Sequence, residues 1–358
     1  MSTTVLATNQ SAASQPEPFT AAPSMPPEAA LTQLITGGLG SQAVYVAAQL
    51  GIADLLVTGP RSAEDLAKAA SVDGPSLYRV LRALASFGVF TERPDGLFEL
   101  TPTAELLRSD SPKSLRHLAI FMGEDWHWRV WGRTLYSVRT GNAAWAQEHG
   151  CDAFPFLAAN PEAAKIFDQA MTSLSNLAIK AVIEAYDFSG FETLVDVAGG
   201  QGRLLSAILQ ANPGVKGILF DQPHVIQGAG QTDNLKNLDG RCQLVAGDFF
   251  TGVPAGADAY IMKHIIHDWD DERALRILKN IRSVMRDDGR VLLIESVITP
   301  GNTPDFGKLL DIEMLVSPGG KERTATEYAE LFEKAGLRLT HIVATKSPYS
   351  VIEAVKIR

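Results

Sequence analysis

The sequence predicts a doubly wound α/β domain with a parallel sheet, preceded by a smaller, mainly α-helical domain of winged-helix form. Two observations carry this. From Thr193 onward, short apolar runs of strand length alternate with amphipathic helical stretches, the pattern of parallel strands joined by crossover helices. Before Asp110, helical stretches give way to two β runs around Pro94-Asp95-Gly96, which is helices followed by a hairpin.

The chain opens on 28 residues rich in Ala, Ser, Thr and Pro whose only ionisable side chains are Glu17 and Glu28, so residues 1–28 are expected to be a disordered tail. The tail lacks the basic start and apolar core of a secretory signal. The longest apolar stretch, Ala43 to Val57, is broken by Gln49, Gly51 and Asp54, so no membrane span is expected. Cys151 and Cys242 stand in no Cys-x-x-Cys pair, which speaks against a disulfide framework or a cysteine-held zinc. Together these features predict a cytoplasmic protein. Its 46% hydrophobic and 20% charged residues suit a globular chain, and a net charge of −9 disfavours nucleic-acid and anionic-membrane partners.

Residues 29–110 form the predicted winged-helix domain. Ala43, Val46, Ala47 and Leu50 recur at helical spacing, and Gly51 ends that helix. Ser62 reads as the cap of a second helix, and Pro75 to Leu84 as a third, ending near Gly88. Val89–Glu92 and Leu97–Leu100 form the wing. A winged helix can bind DNA, but six basic against nine acidic side chains between Ala29 and Asp110 oppose phosphate contact. A structural or dimerising role fits better, and a metabolite-sensing DNA regulator is the rival from another class. Residues 111–358 join a helical region to the α/β domain. That region is rich in aromatics (Trp126, Trp128, Trp131) and interrupted at Pro155 and Pro161. Strands are expected at Leu194–Val197, Gly217–Asp221, Cys242–Ala246, Ala259–Met262, Val291–Glu295, Arg338–Val343 and Ser350–Val355, with helices between the first five.

Leu194-Val-Asp-Val-Ala-Gly-Gly-Gln-Gly is a buried strand running into a glycine turn and a helix. A dinucleotide fingerprint would carry a third glycine where Leu205 stands. Asp196, just ahead of the turn, would repel a pyrophosphate but suits the cationic amino-acid end of S-adenosylmethionine. Asp221, 25 residues further on, lies where an acid binds ribose hydroxyls, with Gln222 beside it. Asp248 could accept from an adenine amino group while Phe249 packs on the ring. Singly, each acid reads as a solvated loop residue, and the turn as a turn without a ligand. At successive strand ends they converge on the crevice where open α/β sheets bind ligands.

The fourth strand leads to Lys263-His-Ile-Ile-His267-Asp268-Trp269. Methylating a phenol requires loss of its proton, and an imidazole suits that base role at neutral pH. Glu295 and Glu322 are the candidate carboxylates to orient it. The competing readings are that His264 and His267 are helix-surface histidines and that Glu322 merely pairs with Arg323 on a surface loop. No third metal ligand lies at suitable spacing, so no metal is expected.

With these motifs in place, the chain resembles the plant-phenolic type of S-adenosylmethionine-dependent O-methyltransferase, whose members also serve bacterial and fungal natural-product pathways. The resemblance runs from about Leu31 to Lys356 and rests on Leu194–Gly202, on His267-Asp268-Trp269 and on Gly319-Gly-Lys-Glu-Arg-Thr324. It implies a Rossmann-like methyltransferase domain and a metal-independent enzyme that uses S-adenosylmethionine and releases S-adenosylhomocysteine. It further implies a homodimer formed through helices from Leu31 to Leu50, acting on a small aromatic acceptor. Residue by residue, it assigns His267 as base with Glu295 and Glu322. It gives Asp196, Gly199, Gly200, Gly202, Asp221, Gln222, Asp248, Phe249 and Lys263 to the cofactor. Met171 and Met314 match methionines that flank the acceptor, core filling being their competing reading; Trp131 and Asp268 are further acceptor candidates, although a core place is the commoner fate of such an aromatic. The sequence departs from the family at Ala198, which replaces the first glycine and is tolerable if its φ stays negative. N-methylation, or drift to hydroxylation or decarboxylation on the same fold, are the alternatives.

Overall fold

The computed structural model describes residues 26–358, so most of the expected tail lies outside the described residues. Its last residues correct the tail boundary, because the helix Pro27–Gln49 already contains Pro27 and Glu28. Proline fits a first helical turn, where its missing N–H would be unpaired anyway, and an acid there faces the positive end of the helix dipole. The described chain divides into two compact units at Gly40/Ser41. In the first, Leu31, Leu34, Ile35 and Leu39 are between 59% and 79% exposed.

The second unit opens with the predicted winged helix. Helices Ala63–Ala70 and Gly74–Ser86 start on Ser62 and Asp73, whose side chains accept from the amides of Asp65 and Ser76. Their inward faces bury Leu66, Leu77, Leu81 and Leu84 against Phe90 and Phe98 of the hairpin. A third strand the sequence did not reveal, Arg61–Ser62, pairs with Leu97–Leu100. At two residues it is too short to show a period.

The larger sheet has seven strands: β1 (Thr193–Val197), β2 (Lys216–Asp221), β3 (Cys242–Ala246), β4 (Ala259–Lys263), β5 (Arg290–Glu295), β6 (Leu337–Ala344) and β7 (Ser350–Lys356). Their order is β6-β7-β5-β4-β1-β2-β3. Every predicted strand is present, but two expectations are corrected. The sheet is mixed, since β7 runs antiparallel to both neighbours. Five residues separate β6 from β7, and a parallel return needs a crossover of a dozen or more. No helix lies between β3 and β4. Gly247, Gly252, Pro254 and Gly256 fall within that connection, and they oppose helix formation.

Helices Asp271–Val284 and Ala325–Lys334 pack Ile277, Ile281, Leu331 and Phe332 onto one face of the sheet. Helix Arg203–Ala211 and the end of Pro161–Ala185 pack Leu205, Leu209 and Val182 onto the other. Burying each such side chain stabilises by roughly 1.5–3 kcal/mol. This sandwich fixes the carboxyl ends of β1, β2, β4 and β5 side by side. Among the described residues, no helix is long and apolar enough to cross a membrane.

Candidate active site

β1 runs directly into the turn Ala198–Gly202 and then into helix Arg203–Ala211. Gly200 and Gly202 have φ of 58° and 70°. A Cβ on Gly199 would fall closer than 3.0 Å to Leu219 and to the Asp196 carboxylate. Only glycine keeps that cradle open. Ala198 does not meet its condition for tolerance, because its φ is +58°. An alanine held in the left-handed region costs roughly 1–2 kcal/mol. Ala198→Gly is therefore expected to raise the melting temperature by the equivalent of about 1 kcal/mol, read by thermal denaturation; an unchanged or lower melting temperature contradicts the strain.

Asp196 is buried, and desolvation raises its carboxyl to about 7 against the pull of Lys263. Its Oδ2 has no hydrogen-bond partner among the described residues. Lys263 ends β4, donates to Ser175 Oγ at 2.6 Å, and is lowered by its own burial. Asp221 ends β2 and accepts from the amides of Gly200 (2.8 Å) and Gln222 (2.6 Å). Burial raises it, as it raises Asp168, which faces Asp221 and His224 from helix Pro161–Ala185. Gln222 is exposed at the start of helix Pro223–Ala229. Asp248 is exposed past β3 and caps its own turn by accepting from Phe250 N. Phe249 is half-buried, edge-on to Phe250 at 4.8 Å and to Trp269 at 6.0 Å. An orphaned buried carboxylate beside a glycine cradle suits a cationic ligand, and a strand-end acid one turn away suits a diol.

The second cluster sits where β4 and β5 end. His267 lies in a short 3₁₀ turn, 7% exposed. Its Nδ1 bonds Glu322 Oε1 at 2.6 Å and lies 3.6 Å from Glu295 Oε2, while its Nε2 is 3.5 Å from Asp268 Oδ1. Desolvation pushes the imidazole down, but Glu295, Asp268 and Glu322 outweigh it and raise it to about 10. Burial lifts Glu295 to about 7 and Asp268 to about 6, His267 opposing both. Glu295 Oε1 accepts from the amides of Ile265 and Ile266, each at 3.0 Å, and so holds the turn to the sheet. The surface readings of these residues fall. His264 has φ +56°, so it is not on a helix, and its ring packs against that of Tyr349, tilted at 50° with centroids 4.2 Å apart. Burial holds its imidazole well below the ordinary value. Glu322 is 2% exposed and pairs with His267, while fully buried Arg323 pairs with Asp271.

Backbone contacts bind the two loops together. Lys321 N donates to His267 O at 2.9 Å, and Arg323 donates to the carbonyls of Ile266, Lys321 and Trp269. Asp311 accepts from Glu322 N at 2.9 Å, a partner with no sequence signal of its own.

Asp311 belongs to helix Phe306–Val316, which also carries the buried Met314. Met171 is half-buried on Pro161–Ala185. Trp131, expected at the acceptor, has its indole N–H committed to Glu313, which also bonds His127 Nε2 at 3.0 Å. Glu313 is thus a partner of both Trp131 and His127 that sequence reasoning missed.

An O-methyltransferase domain family matches residues 131–338, and an O-methyltransferase dimerisation domain matches residues 32–110. A phenazine O-methyltransferase of Lysobacter antibioticus is 46% identical over 330 residues, covering 92% of this chain and 96% of that protein. An 8-amino-8-demethylriboflavin N,N-dimethyltransferase of Streptomyces davaonensis is 36% identical over 314 residues, 87% of this chain and 90% of that one. The crystal structure of an O-methyltransferase from neocarzinostatin biosynthesis contains S-adenosylmethionine and 2-hydroxy-5-methyl naphthoic acid. It aligns with a TM-score of 0.75 at 33% identity, over 88% of this chain and 95% of that one.

Proposed function

The chain belongs to the O-methyltransferase family and is an S-adenosylmethionine-dependent methyltransferase of the phenolic and natural-product type; from that premise we propose that it methylates a hydroxyl on a small aromatic metabolite, with His267 as general base and no metal ion. The observation that carries this is the division of labour on one imidazole. Nδ1 is held by Glu322, so its proton points at a carboxylate and Nε2 is left to take the acceptor's proton. Glu295 supports the imidazolium that results. Asp268, beside Nε2, would orient the hydroxyl, and Met171, Met314 and Trp131 would flank the flat ring.

S-adenosylmethionine supplies an electrophilic methyl on a positively charged sulfur and leaves as S-adenosylhomocysteine. Asp196 and Lys263 would meet its amino-acid end. Asp221 and Gln222 would hold the ribose, and Asp248 and Phe249 the adenine, over the cradle of Gly199, Gly200 and Gly202. Because the electrophile is already activated, the protein's own part is alignment, worth ~7–11 kcal/mol when good, and proton removal.

The Lysobacter relative supports hydroxylated polycyclic acceptors, and the riboflavin relative keeps an aromatic amine as the second reading. The charge around His267 tests the base assignment. Its three carboxylates raise the imidazole, so Nε2 becomes free only as pH rises, and the rising limb of kcat/KM should lie above the ordinary histidine range. Glu322→Gln removes one raising charge, so the limb should move to lower pH while the plateau falls. A limb that stays in place in the variant refutes His267 as the titrating base.

The exposed apolar face of Leu31, Leu34, Ile35 and Leu39 is, in this reading, the surface that a second copy covers. Leu34→Glu with Ile35→Glu should give a monomer by light scattering; a persisting dimer places the contact elsewhere.

A further inference from the structure

We propose that His267, Glu295 and Glu322 form an inhibitory zinc site, in which the ion binds the imidazole face opposite the acceptor and switches off the base. This rests on the reading of His267 above. One ligand atom from each residue lies within 4.8 Å of the other two, and the three residues are at most 7% exposed. Glu295 Oε2 and Glu322 Oε2 are both buried without a hydrogen-bond partner among the described residues. Two buried carboxylates thus share one imidazole nitrogen and keep two oxygens unsatisfied. Unmet acceptors of this kind are costly, and a cation is what satisfies them.

The donor set selects the ion. One imidazole nitrogen with two carboxylates is a common zinc set, whereas magnesium favours oxygens alone and retains its waters. Zinc bonds of about 2.0–2.2 Å place tetrahedral ligand atoms roughly 3.3–3.6 Å apart. His267 Nδ1 is 3.6 Å from Glu295 Oε2, already close to that value. Its 2.6 Å bond to Glu322 must open by a fraction of an ångström to admit the ion. Two carboxylates and a neutral imidazole balance the +2 charge.

The chemical consequence is a tautomer lock. In the working enzyme the ring proton sits on Nδ1, against Glu322, and Nε2 offers a lone pair. Zinc takes the Nδ1 lone pair, so the one remaining ring proton moves to Nε2. Where the ring carries both protons, the Nδ1 proton is released to solvent and the Nε2 proton stays. Nε2 then has no lone pair for the acceptor's hydroxyl. Cofactor binding is untouched, because the ion sits at the ends of β4 and β5 rather than over the glycine turn.

The test is calorimetric titration of the full-length protein with zinc chloride in the presence of S-adenosylhomocysteine, beside the activity assay. The expected result is one zinc per chain. Its affinity should fall in Glu322→Gln by more than the roughly 10–100-fold that loss of an outer-shell partner costs. Bound zinc should lower kcat at least tenfold, within the 10²–10⁴-fold share of general-base help, with KM for S-adenosylmethionine unchanged and full recovery on chelation. Magnesium should do nothing. Retained S-adenosylhomocysteine binding shows that the variant is folded, and an anomalous-scattering map at the zinc edge places the ion without relying on any variant. Zinc found only at others of the seven histidines overturns the site and leaves the base reading intact. Zinc found at the triad with undiminished turnover overturns the lock, and the base reading with it.

Discussion

Replacing His267 with alanine is expected to lower kcat by roughly 10²–10⁴-fold and to leave S-adenosylhomocysteine binding intact, because the proposed base acts on the acceptor and not on the cofactor. The substitution also removes the hydrogen-bond partner of Glu322 Oε1 and the charge facing Glu295. A buried pair broken on one side loses several kcal/mol, about 3–5 in measured cases, unless the orphaned carboxyls take up protons. Alanine should therefore cost stability as well as rate. His267→Gln separates the two effects. Its amide can still donate to Glu322, so stability recovers, but it cannot take a proton, so kcat stays as low as in the alanine variant. Thermal melting and steady-state kinetics on both variants check this. A glutamine variant with near-normal turnover would mean that the imidazole only positions the acceptor.

Gly320→Ala should be nearly as damaging, although Gly320 touches no reacting atom. A Cβ there would sit closer than 3.0 Å to His267 O, Asp268 C and Trp269 N, all backbone atoms. Backbone cannot swing aside as a side-chain tip can, so the two loops must part. Their separation breaks the bond from Lys321 N to His267 O and withdraws Glu322 from Nδ1. Overpacking of this kind typically costs 1–3 kcal/mol. Arg323, fixed to three carbonyls and to Asp271, opposes any relief by rotation of the loop. The expected outcome is a large fall in kcat, a lower melting temperature and a pH limb moved down as in Glu322→Gln. Cofactor affinity, read by calorimetry, is unchanged. Wild-type kcat in this variant contradicts the role given to loop contact.

The sequence made the chemistry more legible than its scaffolding. A strand followed by glycines, and acids at strand ends, are local patterns, so Asp196, Asp221 and Asp248 could be assigned to one crevice before any coordinates. The His-Asp-Trp and Gly-Gly-Lys-Glu-Arg-Thr segments were readable too, and the structure brings His267 and Glu322 within 2.6 Å. What stayed hidden depends on partners far along the chain. His127 meets Glu313 across 186 residues, and Lys263 meets Ser175 across 88. The antiparallel β7 was hidden because apolar alternation has no direction; only the five-residue link to β6 reveals it. Ala198 shows the limit of propensity, since the surrounding turn holds it at φ +58° against its own preference.

The most direct measurement is methyl transfer from S-adenosyl-[methyl-¹³C]methionine to a panel of hydroxylated and amino-substituted phenazines and naphthoates. It should be followed by ¹³C NMR across a pH series for wild type and His267→Gln. The account predicts a labelled methoxyl carbon, a rate that climbs with pH in wild type, and a low, flat rate in the variant. A label found only on nitrogen, or a variant that keeps the wild-type rate and pH profile, would contradict it.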